Sequence, residues 1–360
     1  MNLIAATKRT IFVMMVCFLL VLCGCAKRGP NTQIDLPDMH IEVDPSGNLP
    51  ANFWDSYTLF KEADKLFDQE RYREAIEVYD KLLIHYPNDK LAPMALFNKG
   101  LSLEELGEYK AAEVAYDTLL STFPKAFPFE KLLFRYAYCY EKTERWNDAT
   151  RVLQDILRIS GVRPIYQTQA RARIAVAQFK LGRKDAAQRL LREAIQEYEK
   201  YRRSNVSIDS HYYAAACFTL GEYYFEKYKS IELRGDINVM AITLDSKARQ
   251  FIYARTRYLE AIRTYDHEYM TASLFRIGQG YEHFYFTLLN APVPLELEPG
   301  QEPAYMKKLK EQLAPVFNKA LQAYSQALRV SRQLGISNQW VDKAKEREEY
   351  LESWMEQNGV

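Results

Sequence analysis

The sequence predicts an all-α fold, a solenoid of helix-turn-helix hairpins closed by a C-terminal capping helix. Three observations predict it. Tyr72, Ala75 and Tyr79 return 37 residues later as Tyr109, Ala112 and Tyr116, and 37 later again as Trp146, Ala149 and Leu153. A fixed period of roughly 34–40 residues marks stacked helical hairpins, each too small to bury its apolar face alone. Small residues, Ala63, Gly100, Ala137 and Ala175, recur in step, as close helix crossings require. Breakers fall at the seams: Gly107 and Gly182 at turns, Pro87 and Pro124 where a helix must end.

Residues 1–24 read as a signal peptide. Lys8 and Arg9 give a positive start, and residues 11–22 are an unbroken apolar run of 12. That is short of the roughly 20 residues that span a bilayer and suits a secretory signal. Leu22, Gly24 and Cys25 then resemble the bacterial lipobox. The resemblance implies cleavage before Cys25, diacylglycerol on its thiol and N-acylation, and two or more acyl chains anchor a protein stably. Ala26 follows, with no Asp to hold the chain at the inner membrane, so the resemblance implies an outer-membrane lipoprotein facing the periplasm. Residues 25–52 hold Pro30, Pro37, Pro45 and Pro50 and no helical period. They are expected to form a tether with a reach of about 25–30 Å.

Residues 53–203 are expected to hold four repeats, at about 56–88, 93–124, 130–161 and 168–201. Residues 204–335 are expected to hold longer, divergent hairpins. A helix at 211–229 carries Gly221, and its partner is expected at about 244–265, after residues 231–243, or else the two helices are extended by extra turns. A helix at 270–289 carries Gly278 and Gly280. Its partner, at about 304–334, carries Ala320, Tyr324 and Ala327 and follows a Pro-rich loop. Residues 336–360 read as an amphipathic cap with Trp340, Leu351 and Trp354. Cys139 and Cys217 sit among small or aromatic neighbours, as buried thiols do.

These small-residue, turn, aromatic and Ala positions resemble the tetratricopeptide repeat (TPR) family, closely over about 55–200 and loosely over 205–335. The resemblance implies a groove lined by the first helix of each hairpin. Its fifth position is Phe60, Phe97, Phe134, Ala172, Phe218 and Phe275, and Tyr57 and Tyr138 fall on further groove positions. Two readings stay open: an aromatic stripe that anchors a partner segment, or rings packed between neighbouring helices. Phe60 and Asp64 stand where TPRs that clamp acidic chaperone C-termini carry Lys and Asn, so that role is not expected.

The net charge of +1 excludes general nucleic-acid binding. The five histidines show no metal-ligand spacing, and no phosphate loop or nucleophile elbow is present. No enzyme activity, metal or cofactor is expected. Charge is uneven along the chain. Residues 51–150 carry a net −5 and residues 151–203 a net +8, led by Arg158, Arg171, Arg173, Arg183 and Lys184. This basic block is expected either to steer an acidic partner or to be solvated surface. Anchor and repeats together are similar to the TPR lipoproteins of the β-barrel assembly machinery. They imply a protein–protein scaffold in an envelope complex, attached to the membrane by its lipid. Subunits of gliding-motility, secretion or cell-wall complexes, and a small-ligand or glycan-binding module, remain as alternatives.

Overall fold

Thirteen helices and no strand make up the described residues. The computed structural model describes residues 55–124, 129–204, 206, 209–234, 237–293 and 300–358. The expected signal peptide, the expected lipobox with Cys25 and the expected tether lie outside them. Four short hairpins come first: α1 (Ser56–Asp68) with α2 (Tyr72–His85), α3 (Ala92–Glu105) with α4 (Tyr109–Thr122), α5 (Phe129–Lys142) with α6 (Trp146–Arg158), and α7 (Pro164–Lys180) with α8 (Lys184–Arg203). Two long ones follow: α9 (Ser210–Ser230) with α10 (Ile237–Ile262), and α11 (His267–Leu289) with α12 (Glu302–Leu334). The last helix is α13 (Gln339–Asn358). Each helix packs on the next in sequence.

The four short hairpins turn alike. One residue in each takes the left-handed conformation: Glu70 (φ 61°), Gly107 (φ 74°), Glu144 (φ 57°) and Gly182 (φ 79°). The next N–H then reaches back five residues to the first helix, as from Arg71 to Leu66 and Glu108 to Leu103, at 2.9 and 2.8 Å. These bonds satisfy carbonyls that a helix end leaves open. Asp55, Asp209 and Asp266 cap α1, α9 and α11 by accepting first-turn N–H groups.

The core is a chain of local clusters, each joining one hairpin to its neighbour. At each crossing a small residue of the first helix meets a large one of the second. A Cβ on Gly100 would overlap the Tyr116 ring, and one on Gly278 would lie 2.6 Å from the Tyr324 ring. Hairpins three and four solve the same crossing with Ala137 beside Leu153 and Ala175 beside Leu191. In the long hairpins Gly221 meets Tyr258 and Gly278 meets Tyr324, so the insertions lengthen the helices without changing the crossing. Helix α10 begins at Ile237, two turns before the position near 244 that the sequence suggests.

Helix α13 closes the last hairpin. Ala344 and Leu351 are buried against α11 and α12, and Trp354 lies 5.4 Å from Phe317, ring to ring. Among the described residues no helix is long and apolar enough to cross a membrane.

Candidate protein-binding faces

The first helices carry a polar relay that the sequence does not announce. In the first hairpin the Tyr79 hydroxyl donates to Asp64 at 2.7 Å, and Asn98 of the next first helix donates to the same carboxylate at 2.9 Å. In the second, Tyr116 donates to Glu104 at 2.5 Å, and Arg135 Nε reaches it at 3.0 Å. In the third, Leu153 replaces the tyrosine, and Glu141 pairs with Arg173 alone at 2.8 Å. The relay resumes with Tyr258, Glu222 and Arg276, the last pair at 2.7 Å. It ends with Tyr324, Glu282 and Arg347 of the cap. Only the junction between hairpins four and five lacks the pair: Val176 and Phe179 stand at the two positions, one and four residues after the small residue, that carry the carboxylate elsewhere, and Thr219 stands at the arginine position. Charged hydrogen bonds of this kind fix register and are stronger than neutral ones.

The relay corrects one expectation. Arg173 is 3% exposed and belongs to no surface patch. Its guanidinium pairs with Glu141, donates to the Phe134 carbonyl at 3.1 Å and faces the Phe134 and Tyr212 rings. Burial alone would weaken its hold on the proton, and Glu141 more than offsets that. Arg158, Arg171, Arg183 and Lys184 are exposed. Arg158 pairs with Asp155, Arg183 donates to Gln178, and Lys184 pairs with Glu226 at 2.6 Å.

The phenylalanine stripe divides. Phe60, Phe134 and Phe275 are only 9, 8 and 4% exposed, so these three rings do not line an open groove. The neighbouring hairpin covers them: Phe134 meets Tyr166 of α7, and Phe275 meets Trp340 of α13 at 5.7 Å. Phe97 and Phe218 are half-buried and Tyr57 is exposed. Tyr138 is half-buried between Arg135 and Lys142, whose charged groups lie 5.1 and 5.3 Å from its ring. From α9 onward the first helices touch directly, α7 on α9, α9 on α11 and α11 on α13. The half-buried rings there are Tyr212, Phe218, Tyr269 and Trp340.

Two histidines sit at junctions. His211 Nδ1 lies 2.9 Å from Asp266, tying the start of α9 to the start of α11, and this bond raises the pKa of His211. Lys247 is almost wholly buried and donates to the carbonyls of Tyr228 and Ile231 at 2.9 and 2.8 Å, closing the end of α9. Burial lowers its pKa to about 8. Burial and the nearby Lys247 lower that of His283 to about 4. Cys139 and Cys217 are free, buried thiols, and burial pushes that of Cys139 up to about 12. Among the described residues no three His, Cys, Asp or Glu are grouped to hold a metal.

Sequence models of the tetratricopeptide repeat match residues 60–130 and 169–201. No curated protein matches the chain. Among solved structures it is similar to the C-terminal part of a TPR repeat-containing protein from Cytophaga hutchinsonii, at 16% identity and TM-score 0.43 over 81% of this chain and 95% of that one. It is similar to a tetratricopeptide repeat protein from Parabacteroides merdae, at 14% and 0.40 over 81% and 98%. It is also similar to MamA from Desulfovibrio magneticus RS-1, at 17% and 0.40 over 59% and 98%. Helical hairpins, tetratricopeptide repeats in the matched segments and partly open aromatic positions define a solenoid of the protein-interaction class.

Proposed function

We propose that this chain is a lipid-anchored scaffold that faces the periplasm from the outer membrane and holds a partner protein within an envelope complex. The observation that carries the reading is the run of first helices, on which Phe97, Tyr138, Tyr212 and Phe218 stay half-open, continued by Trp340 of α13, with Arg135, Arg173 and Arg276 beside Tyr138, Tyr212 and Trp340. Aromatic rings backed by arginine are typical anchors for a partner segment. The lipobox ending at Cys25 supports the anchor, and the proline-rich residues 25–52 support a tether that lifts the body off the lipid surface.

The test has two arms. Cys25→Ser is expected to move the protein from the membrane fraction to the soluble fraction; continued sedimentation with membranes overturns the anchor. A photo-crosslinker at position 138 is expected to capture a partner protein in intact cells, and Lys142→Glu to weaken the capture severalfold. Crosslinks confined to lipid, or none, overturn the scaffold.

A further inference from the structure

One side of α5 is a ladder of cations around a ring: Lys131, Arg135, Tyr138 and Lys142 stand at i, i+4, i+7 and i+11. On α3, Met94, Phe97 and Leu101 share one side at i, i+3 and i+7; Met94 is exposed and the other two are half-buried. Arg135 on Glu104 holds the two helices together. The Arg135 side chain stays 35% exposed while its carboxylate partner is buried at 2%, so the positive group is the one left open. Lys131 and Lys142 are exposed, and among the described residues neither pairs with a carboxylate. The acids of the first helices are consumed or turned away. Asp64 accepts from Tyr79 and Asn98, Glu104 from Tyr116 and Arg135, and Glu141 from Arg173. Glu105 lies toward Tyr72 of α2, and Glu130 stands about 100° round α5 from Lys131. Apolar rungs on one helix and unopposed cations on the next suit a segment that is apolar on one edge and acidic on the other.

The chain carries such a segment ahead of the described residues. Residues 34–44 hold Asp35, Asp38, Glu42 and Asp44, and residues 29–60 contain no Lys or Arg. From 38 to 44 the alternation is strict: Met39, Ile41 and Val43 are apolar, and the residues between and beside them are polar. A linker that only spans distance has no use for these apolar side chains. Pro37 and Pro45 bracket a stretch too short for a stable helix, and an extended strand puts its two residue sets on opposite edges. From Asp38 to Asp44 such a strand spans about 20 Å, against a rise of about 16 Å from Lys131 to Lys142. Residues 45–55 join it to α1 and reach up to about 36 Å. Two helix spacings, from α1 to α5, take about 20 Å.

We propose that residues 34–44 are an internal ligand of this chain's own first-helix face, laid extended between α3 and α5. Met39, Ile41 and Val43 turn toward Met94, Phe97 and Leu101. Asp38, Glu42 and Asp44 turn toward Lys131, Arg135 and Lys142. A lipid surface is disfavoured for this segment, because anionic headgroups repel its four carboxylates. A partner segment of the same pattern competes with it, so the chain masks its binding face until a partner arrives. Once displaced, the segment returns its length to the tether. The inference rests on the scaffold reading, since segment and partner share one face, and adds a self-occupied state to it.

The test places an aromatic photo-crosslinker at position 138 of the purified full-length protein in detergent, mixed with isotope-labelled chain that lacks the crosslinker. Mass spectrometry is expected to find crosslinks from 138 to residues 34–44 of the same, unlabelled chain. Combined Asp38→Lys, Glu42→Lys and Asp44→Lys is expected to cut them about tenfold. Adding Lys131→Glu and Lys142→Glu, both at exposed sites, is expected to restore them by swapping the charges, with the melting curve in place throughout. In intact cells the segment variant is expected to raise partner capture at 138 severalfold; unchanged capture overturns the masking. A partner captured in cells, with no crosslink to 34–44 in the purified protein, overturns the internal ligand and leaves the scaffold reading standing. Crosslinks to 34–44 with no partner captured do the reverse. Crosslinks to the labelled chain, a second copy, overturn the proposal. So do crosslinks confined to phosphatidylglycerol when vesicles are added, and a charge swap that restores nothing.

Discussion

At Gly100 a single hydrogen stands where a methyl group would meet the Tyr116 ring. Gly100→Ala is therefore expected to cost about 1–3 kcal/mol by overpacking, read as a lowered melting temperature. The third hairpin shows the cure, since it pairs Ala137 with Leu153 and keeps Glu141 on Arg173 without a tyrosine. Gly100→Ala with Tyr116→Leu is expected to recover most of the loss, leaving Glu104 on Arg135; a double variant no better than the single one refutes this account. Arg173→Met is expected to cost about 3–5 kcal/mol, because Glu141 loses its partner. Arg183→Met, at an exposed site, is expected to stay within about 0.5 kcal/mol in the same melts. The sequence shows the two arginines alike, as parts of one basic block. Only packing against α5 separates them. The turns divide in the same way: glycine marks Gly107 and Gly182, whereas nothing in residue type marks Glu70 and Glu144, held in the same left-handed conformation by hydrogen bonds around them.

Helices α9, α10 and α11 meet at two histidines with opposite pH behaviour. The pKa of His211 is raised in the folded protein by Asp266. Its stabilisation is complete below the unfolded value and is lost as pH rises through the folded one. The pKa of His283 is lowered to about 4. Its contribution is present above the unfolded value of about 6.5 and is lost as pH falls toward 4. Melting temperatures across pH 4–8 are expected to lose their acid fall in His283→Gln and their fall above about pH 6.5 in His211→Gln; parallel curves in both variants contradict the assignment. The helices themselves are largely legible, because apolar periodicity and breakers fix them. The early start of α10 is not, since residues 237–243 are rich in residues of low helix propensity and take helical form as an extension of the packed α10. The phenylalanine stripe is legible as a shared helix face. Whether the next hairpin covers that face is not, so Phe60, Phe134 and Phe275 prove to be core.

Across the whole molecule the relay sets an order that hydrophobic repeats alone do not. Each carboxylate lies on one hairpin and its cation or amide on the next, so only the assembled chain completes the pairs. Sequence hides this because the partners are 31 to 65 residues apart, although Asn98, Arg135, Arg173 and Arg276 each stand two residues before the small residue of their helix. That spacing is the signal a reader could have used.

The same relay makes the chain an unevenly modular object. Excising residues 93–129 removes one period of 37 and brings Arg135 opposite Asp64, again a cation on a carboxylate, so the shortened chain is expected to melt as one cooperative unit. Excising residues 209–265, the 57-residue step from Gly221 to Gly278, brings Arg276 opposite the hairpin that offers Phe179, and a partly buried guanidinium is left without an acid. That deletion is expected to broaden the melt and to leave the end of the chain open to protease; equal behaviour of the two deletions contradicts it. The hairpins are thus words with a grammar: some may be struck out and the sentence still closes, and others may not.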